Sequence, residues 1–242
     1  MYMSDIKLEE ALEDILSNYT ENYSITVDLP SRGKGYAKTK DSVTIRSMTF
    51  DDEKFISNYV GDGLLDELLK RCCNSVDVDE LYLEDKLYLY FKLRESSFGS
   101  TLKTKAACTS CNFVNDLEID LSKLVVNYAD DDFSDPIDLE LPGIKKKAEV
   151  LKMRSYLQDY AVNDTMLLDN LWRFVKKIDT YEDPVIIGQV IKKLPSVDIR
   201  TLMGQISSQT FGIDNRAKFI CNKCKKENVA NVGLTFDFFT QS

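Results

Sequence analysis

The sequence predicts an α+β fold in two pseudo-repeated modules, preceded by an amphipathic helix. Three observations point there. Short segments alternate between the strand period and the helix period. Two Cys-x-x-Cys pairs, Cys108/Cys111 and Cys221/Cys224, each lie between strand-like runs. The segments leading into the two pairs follow the same order, with an offset of 113 from Phe98/Phe211 to the cysteines. The chain has 242 residues and is 43% hydrophobic. That is enough for one large core or two small ones.

In chain order, Ile6, Leu8, Leu12, Ile15, Leu16 and Tyr19 recur near the helical period. They predict an N-terminal amphipathic helix within residues 1–20. "YSITVDLP" (23–30) alternates and stops at Pro30, so it reads as a strand. "SRGKGY" reads as an exposed turn, because no G-x-x-x-x-G-K-[ST] pattern makes it a phosphate loop. "SVTIRSM" is a second strand. Thr49 offers an N-cap with acids at 51–53 behind it. Helices follow near 50–60, 63–74 and 80–96, and Gly99 stops the last. "LYLEDKLYLYFKLR" (81–94) is apolar enough to be the core helix of this half. A first module, 21–126, then closes through the pair at 108–111 and the strand "NDLEIDL". The acidic run "NYADDDFSDPIDLE" (127–140) reads as a solvated linker opening a second module, 127–242. That module holds the pair at 221–224 and ends in a strand, "LTFDFF", with Leu234, Phe236 and Phe238 on one face.

The repeat rests on several matches. "ITVDLP" (25–30) parallels "IDLELP" (137–142), and "LLDELLKRC" (64–72) parallels "LLDNLWRFV" (167–175). Phe98/Phe211, Gly99/Gly212, Cys108/Cys221 and Cys111/Cys224 all differ by 113. Lys103 and Lys105 fall opposite Arg216 and Lys218. A period of this size marks a duplicated module, not a solenoid.

The chain has no histidine, so no Ser-His or Cys-His dyad and no imidazole ligand is available. Cys-x-x-Cys on a tight hairpin supplies two thiolates of a tetrahedral zinc site, and two such knuckles complete it. Cys108, Cys111, Cys221 and Cys224 are therefore the candidate metal ligands, with one structural Zn2+ per chain and a zinc-ribbon-like junction between modules. Four thiolates leave no open position, so a catalytic ion is not expected. Two other readings stand beside this one. A redox pair prefers a helix N-terminus, whereas these flanks are strands. The four thiols are otherwise buried and reduced. Cys72 and Cys73, adjacent in a helix, read as small core residues.

The net charge of −9 falls entirely within residues 1–121, and the rest is balanced. Broad attraction to nucleic acid is not favoured. The N-terminus lacks the pattern of a signal peptide, and no apolar run approaches the roughly 18 residues that span a bilayer. A soluble intracellular protein is expected, in which reduced thiols hold metal more often than they pair.

"LPSRGKGY", "VTIRSMTFDDEK", "LYLEDKLYLYFKLRESSFG" running into "CTSC", and "CNKC" before a strand ending in "FF" resemble the baseplate hub assembly proteins of T-even-type myophages. That family includes baseplate hub subunits and hub assembly chaperones. The resemblance implies a non-enzymatic viral structural or assembly protein. It would act in the host cytoplasm during assembly or in the virion tail baseplate. Its partners would be other hub and tail proteins, with no small-molecule substrate. No catalytic residue is implied. A zinc-ribbon nucleic-acid or transcription module remains the alternative, with Lys103, Lys105, Arg216, Lys218, Lys223, Lys225 and Lys226 as its charge. A hub-associated wall-degrading enzyme is a further one, which would need two carboxylates across a cleft.

Overall fold

The computed structural model describes residues 10–12, 14–16, 23–37, 41–234 and 236–239. The fold is α+β, with small antiparallel sheets around six helices among the described residues. Residues 10–12 and 14–16 are helical, with Leu12, Ile15 and Leu16 exposed. Ile6, Leu8 and Tyr19 of the expected amphipathic helix lie outside the described residues.

The first half opens with a hairpin of β1 (Ser24–Asp28) and β2 (Ser42–Arg46). Ile25 faces Ile45 and Val27 faces Val43, which places the branched side chains on the core side. Thr26 and Thr44 meet on the other face, their hydroxyls 3.1 Å apart. Helix α1 (Phe50–Asn58) starts at Thr49, whose N–H and hydroxyl both donate to Asp52. Asp52 is enclosed and also meets Arg46 of β2 at 2.6 Å and Arg71 of α2 (Leu64–Cys72) at 2.9 Å. One carboxylate thus ties the hairpin to two helices.

Helix α3 (Leu83–Phe98) runs through the first core and is buried nearly all round. It ends at Gly99, whose φ of +83° suits glycine. It also begins later than the sequence suggests. Residues 78–80 form a short 3-10 turn, and Tyr82 instead bridges to Arg154 in the second half. That pairing uses the Leu83 N–H and the Leu81 carbonyl, so the helix cannot start there.

From α3 the chain enters β3 (Thr101–Ala107) and β4 (Val114–Asp120), a hairpin of two seven-residue strands with the first cysteine pair at its tip. β5 (Val126–Asn127) pairs with β9 (Gly212–Ile213), joining the halves. The second core is built on β6 (Ile137–Leu141), β7 (Lys146–Val150) and β8 (Val175–Ile178). Helices α4 (Asp164–Asn170), α5 (Pro184–Ile191) and α6 (Ser196–Ser207) cover it. Asn163 caps α4, and Asp183, followed by Pro184, caps α5. β10 (Arg216–Ile220) and β11 (Glu227–Asn231) carry the second cysteine pair. The chain then returns to the first core, where Ile213, Val232, Phe238 and Phe239 are buried.

Three expectations are corrected. The segment "LTFDFF" does not continue as a strand, because residues 236–239 form a 3-10 turn. Phe238 and Phe239 are adjacent and both buried, with ring centroids 5.0 Å apart and Phe238 edge-on to Phe91. Strand alternation would send those two rings to opposite faces. The acidic run 127–140 is not simply a solvated linker. Ala129 is buried and donates to the Pro30 carbonyl, and the Asp135 carboxylate is fully enclosed. Finally, "SRGKGY" is more than an exposed turn. Ser31 is buried with its N–H on Asp85, and the Gly35 carbonyl accepts from Arg154.

Candidate metal centre

Each Cys-x-x-Cys pair sits where a two-stranded ribbon reverses. The two reversals are built alike. Cys108 N–H donates to the Phe113 carbonyl, and its own carbonyl accepts from Asn112 N–H. Cys221 N–H donates to the Lys226 carbonyl, and its carbonyl accepts from Lys225 N–H. Asn112 and Lys225, each four residues after its first cysteine, have φ of +53° and +62°. This left-handed residue turns the chain back into β4 or β11. Backbone N–H groups inside each turn then point at sulfur, as Ser110 N–H does at Cys108 Sγ, 3.4 Å away.

The two turns face each other. Cys108 Sγ lies 3.5 Å from Cys224 Sγ, and Cys111 Sγ lies 3.7 Å from Cys221 Sγ. All four sulfurs fall within 4.8 Å of one another. A tetrahedral ion with metal–sulfur distances of about 2.3 Å requires sulfurs about 3.8 Å apart. The cluster fits that spacing and can hold a metal ion. Cys108 and Cys221 are fully buried, while Cys111 and Cys224 stand at the rim.

The electrostatics favour thiolates on the first cysteine of each pair. At Cys108 desolvation opposes ionisation, but the N–H groups of Ser110 and Cys111, together with the neighbouring thiols of Cys224 and Cys111, outweigh it and bring the thiol down to about 6. At Cys221 the N–H of Cys224 leads, and the thiol is again lowered. Cys111 receives the Phe113 N–H, yet desolvation and the three neighbouring sulfurs push it up to about 11. Metal ligation requires deprotonated sulfur, so such N–H donors prepare the site. Cys72 and Cys73 lie elsewhere, in the first core, where burial raises both thiols.

Residues that the sequence reading passed over complete the junction. Asn115 Oδ1 accepts the N–H of Asn222, in the opposite turn, at 2.8 Å. Asn228 Oδ1 accepts the N–H of Thr109 at 3.0 Å and its hydroxyl at 2.9 Å. Asn115 and Asn228 are both buried. The 113-residue offset of the cysteines also relates Asn115 to Asn228 and Thr109 to Asn222, and that was the available signal.

Compared with known protein families, residues 20–183 match the T4 bacteriophage base plate protein. The match covers well over half of the chain. The chain belongs to that family. The matched span of this base plate protein contains most of the first core, Cys108 and Cys111, and ends before Cys221 and Cys224 and before the core residues Ile213, Val232, Phe238 and Phe239. Comparison with curated proteins and with solved structures finds no match. Other phage proteins are the partners that family membership suggests. Among the described residues, no helix is long and apolar enough to cross a membrane.

Proposed function

We propose that this protein is a non-enzymatic structural or assembly component of the baseplate hub, acting by protein–protein contact. One zinc ion per chain, held by Cys108, Cys111, Cys221 and Cys224, joins a module of residues 21–126 to one of residues 127–242. The convergence of four sulfurs from hairpins more than a hundred residues apart carries this reading. Four protein ligands close a coordination sphere, which suits a structural ion. The modules are read as diverged copies. Both place a hairpin first, then helices, then a glycine with positive φ at Gly99 or Gly212, then the ribbon. The second has additional strands, β8 and the short β9, and shorter helices.

The conspicuous carboxylates serve the fold. Asp52 binds two arginines, Asp135 binds Arg154, and Asp198 accepts the N–H groups of Gly143 and Ile144. Three of the seven basic residues beside the ribbons are neutralised locally. Lys105 pairs with Asp116, Arg216 with Asp214 and Lys218 with Glu227. That arrangement speaks against a phosphate-binding face.

The test is co-purification of the tagged chain from infected cells, with metal analysis of the same sample. Other tail proteins and about one zinc per chain are expected. Recovery with nucleic acid and without tail proteins would reject the reading.

A further inference from the structure

The reciprocal asparagine contacts do something the cysteines alone do not. Each turn carries its own sulfurs, but a side chain from the opposite ribbon holds its backbone. Asn115, in β4, receives Asn222 N–H, the residue immediately after Cys221. Asn228, in β11, receives Thr109 N–H, the residue immediately after Cys108. Both amides are themselves fixed from within their own ribbon. Asn115 Nδ2 donates to the Phe113 carbonyl at 3.1 Å, and Asn228 Nδ2 donates to the Lys226 carbonyl at 2.8 Å. Asn115 Nδ2 also lies 3.8 Å from Cys221 Sγ. The amide plane is thus held on one edge by its own turn and offers the other edge to the opposite one.

We propose that Asn115 and Asn228 are positioning residues for the metal centre, each setting the sulfur geometry of the opposite turn before an ion binds. The proposal rests on the metal reading above, but the crossed contacts exist independently of an ion. The ligand they select is a tetrahedral, thiophilic divalent cation, because the clasp fixes four sulfurs at one spacing. Outer-shell partners of this kind typically change metal affinity by about 10–100-fold.

The test uses the full chain, with Co2+ as spectroscopic probe and amide hydrogen exchange as structural readout. In Asn115→Ala, the Asn222 amide should lose protection while Thr109 keeps its own. In Asn228→Ala, the pattern should reverse. Both variants should still show the thiolate-to-cobalt absorption of four sulfurs. They should release the ion to a chelator about 10-fold faster or more. Asn115→Asp keeps the oxygen acceptor but loses the N–H near Cys221 Sγ. It should protect Asn222 and still release cobalt faster, and it covers the case in which the alanine variant does not fold. Loss of protection confined to the ribbon carrying the substitution would overturn the proposal. So would unchanged release, or an Asp variant that exposes Asn222. A wild-type chain that binds no cobalt but shows the crossed exchange pattern would reject the metal reading and, with it, a positioning role toward metal, leaving the clasp as a purely structural contact.

Discussion

Arg154 Nη2 meets Asp135 Oδ2 at 2.6 Å, and the Asp135 side chain is wholly enclosed. The same guanidinium nitrogen donates to the Gly35 carbonyl at 2.7 Å and to the Tyr82 hydroxyl at 3.0 Å. Tyr82 in turn donates to Asp135 at 2.9 Å. The pair therefore connects the acidic run, the glycine turn and the start of α3. Removing one partner of a buried pair strands the other charge away from water, at a cost of about 3–5 kcal/mol. Asp135→Ala should lower unfolding stability by that order. The Asp135→Ala/Arg154→Ala double variant should cost clearly less than the two single losses added. Additive losses in a denaturation cycle would show that the pair is not coupled.

Gly35 gives a second test of the same seam. Its φ is +76°, and a Cβ built there would lie 2.0 Å from the Tyr82 hydroxyl oxygen. That oxygen cannot step aside without breaking its bonds to Asp135 and Arg154. Gly35→Ala should therefore combine left-handed backbone strain with overpacking, about 2–5 kcal/mol together. Gly63→Ala is the comparison: its φ of +86° and ψ of 11° are left-handed, but a Cβ there would meet only the Tyr59 hydroxyl, at an ordinary 3.8 Å. It should lose only the smaller, conformational part. Equal losses at the two sites would remove the steric argument.

Much of the first half was legible because its signals are local. Alternation ending at Pro30 gave β1, and Thr49 followed by acids at 51–53 gave the start of α1. What escaped was nonlocal. Asp135 sits in a run of acids that looks solvated, and only its distant partner Arg154 makes it a buried group. Tyr82 reads as the second residue of a helix until Arg154 claims it for a bridge. At the junction, the cysteine spacing was visible, whereas Asn115 and Asn228 looked like polar residues beside a turn. Adjacent Phe238 and Phe239 mimic a strand end, and only packing on Phe91 shows that both rings go inward.

Asp85 makes stability depend on pH with an unusual sign. Burial is the main cause and pushes its carboxyl up to about 6, against the hydrogen bonds from Ser31 N–H and Tyr36 O–H. The unfolded carboxyl titrates near about 4. Between those values the folded state binds more protons, so the Asp85 contribution improves as pH falls from about 7 toward about 4. Asp52 has the opposite sign. Burial opposes its ionisation, but Arg46, the Thr49 N–H and Arg71 hold it well below the usual range. Its contribution is present above the unfolded value and is lost only in stronger acid. The stability difference between wild type and Asp85→Asn should therefore change by about 1.3 kcal/mol between pH 7 and pH 5, in favour of wild type at the lower pH. A difference that stays flat over that window would refute the assignment.

The N-terminal helix offers a test of contact with partners. Leu12 and Leu16 are each 47% exposed and Ile15 is 75% exposed, so this face is uncovered in the isolated chain. Among the described residues, deleting residues 1–20 removes none of the buried residues of either core. The truncated chain should keep its thermal unfolding profile and fail to support baseplate assembly in complementation. Normal assembly would show that partners bind elsewhere.

The cysteine cluster makes the most demanding prediction, because it ties residues across the whole chain. A short two-stranded ribbon is marginal on its own in water. The ribbon of β3 and β4 and that of β10 and β11 end at one set of sulfurs within 4.8 Å of each other. With an ion bound there, the anchoring of one ribbon is the anchoring of the other. Cys108→Ser should therefore expose the amides of the Cys221 turn to exchange as much as those of its own turn. Structural zinc contributes on the order of 10 kcal/mol in small zinc domains, so a partial loss of several kcal/mol is expected. Protein purified without chelator should carry about one zinc per chain, and Cys108→Ser should carry less. Chelator treatment of the wild type should reproduce the substituted protein's exchange pattern. If the chain is metal-free as purified, takes up no zinc, and Cys108→Ser loosens only its own turn, the two ribbons are held by their hydrogen bonds and the cysteines contribute no staple.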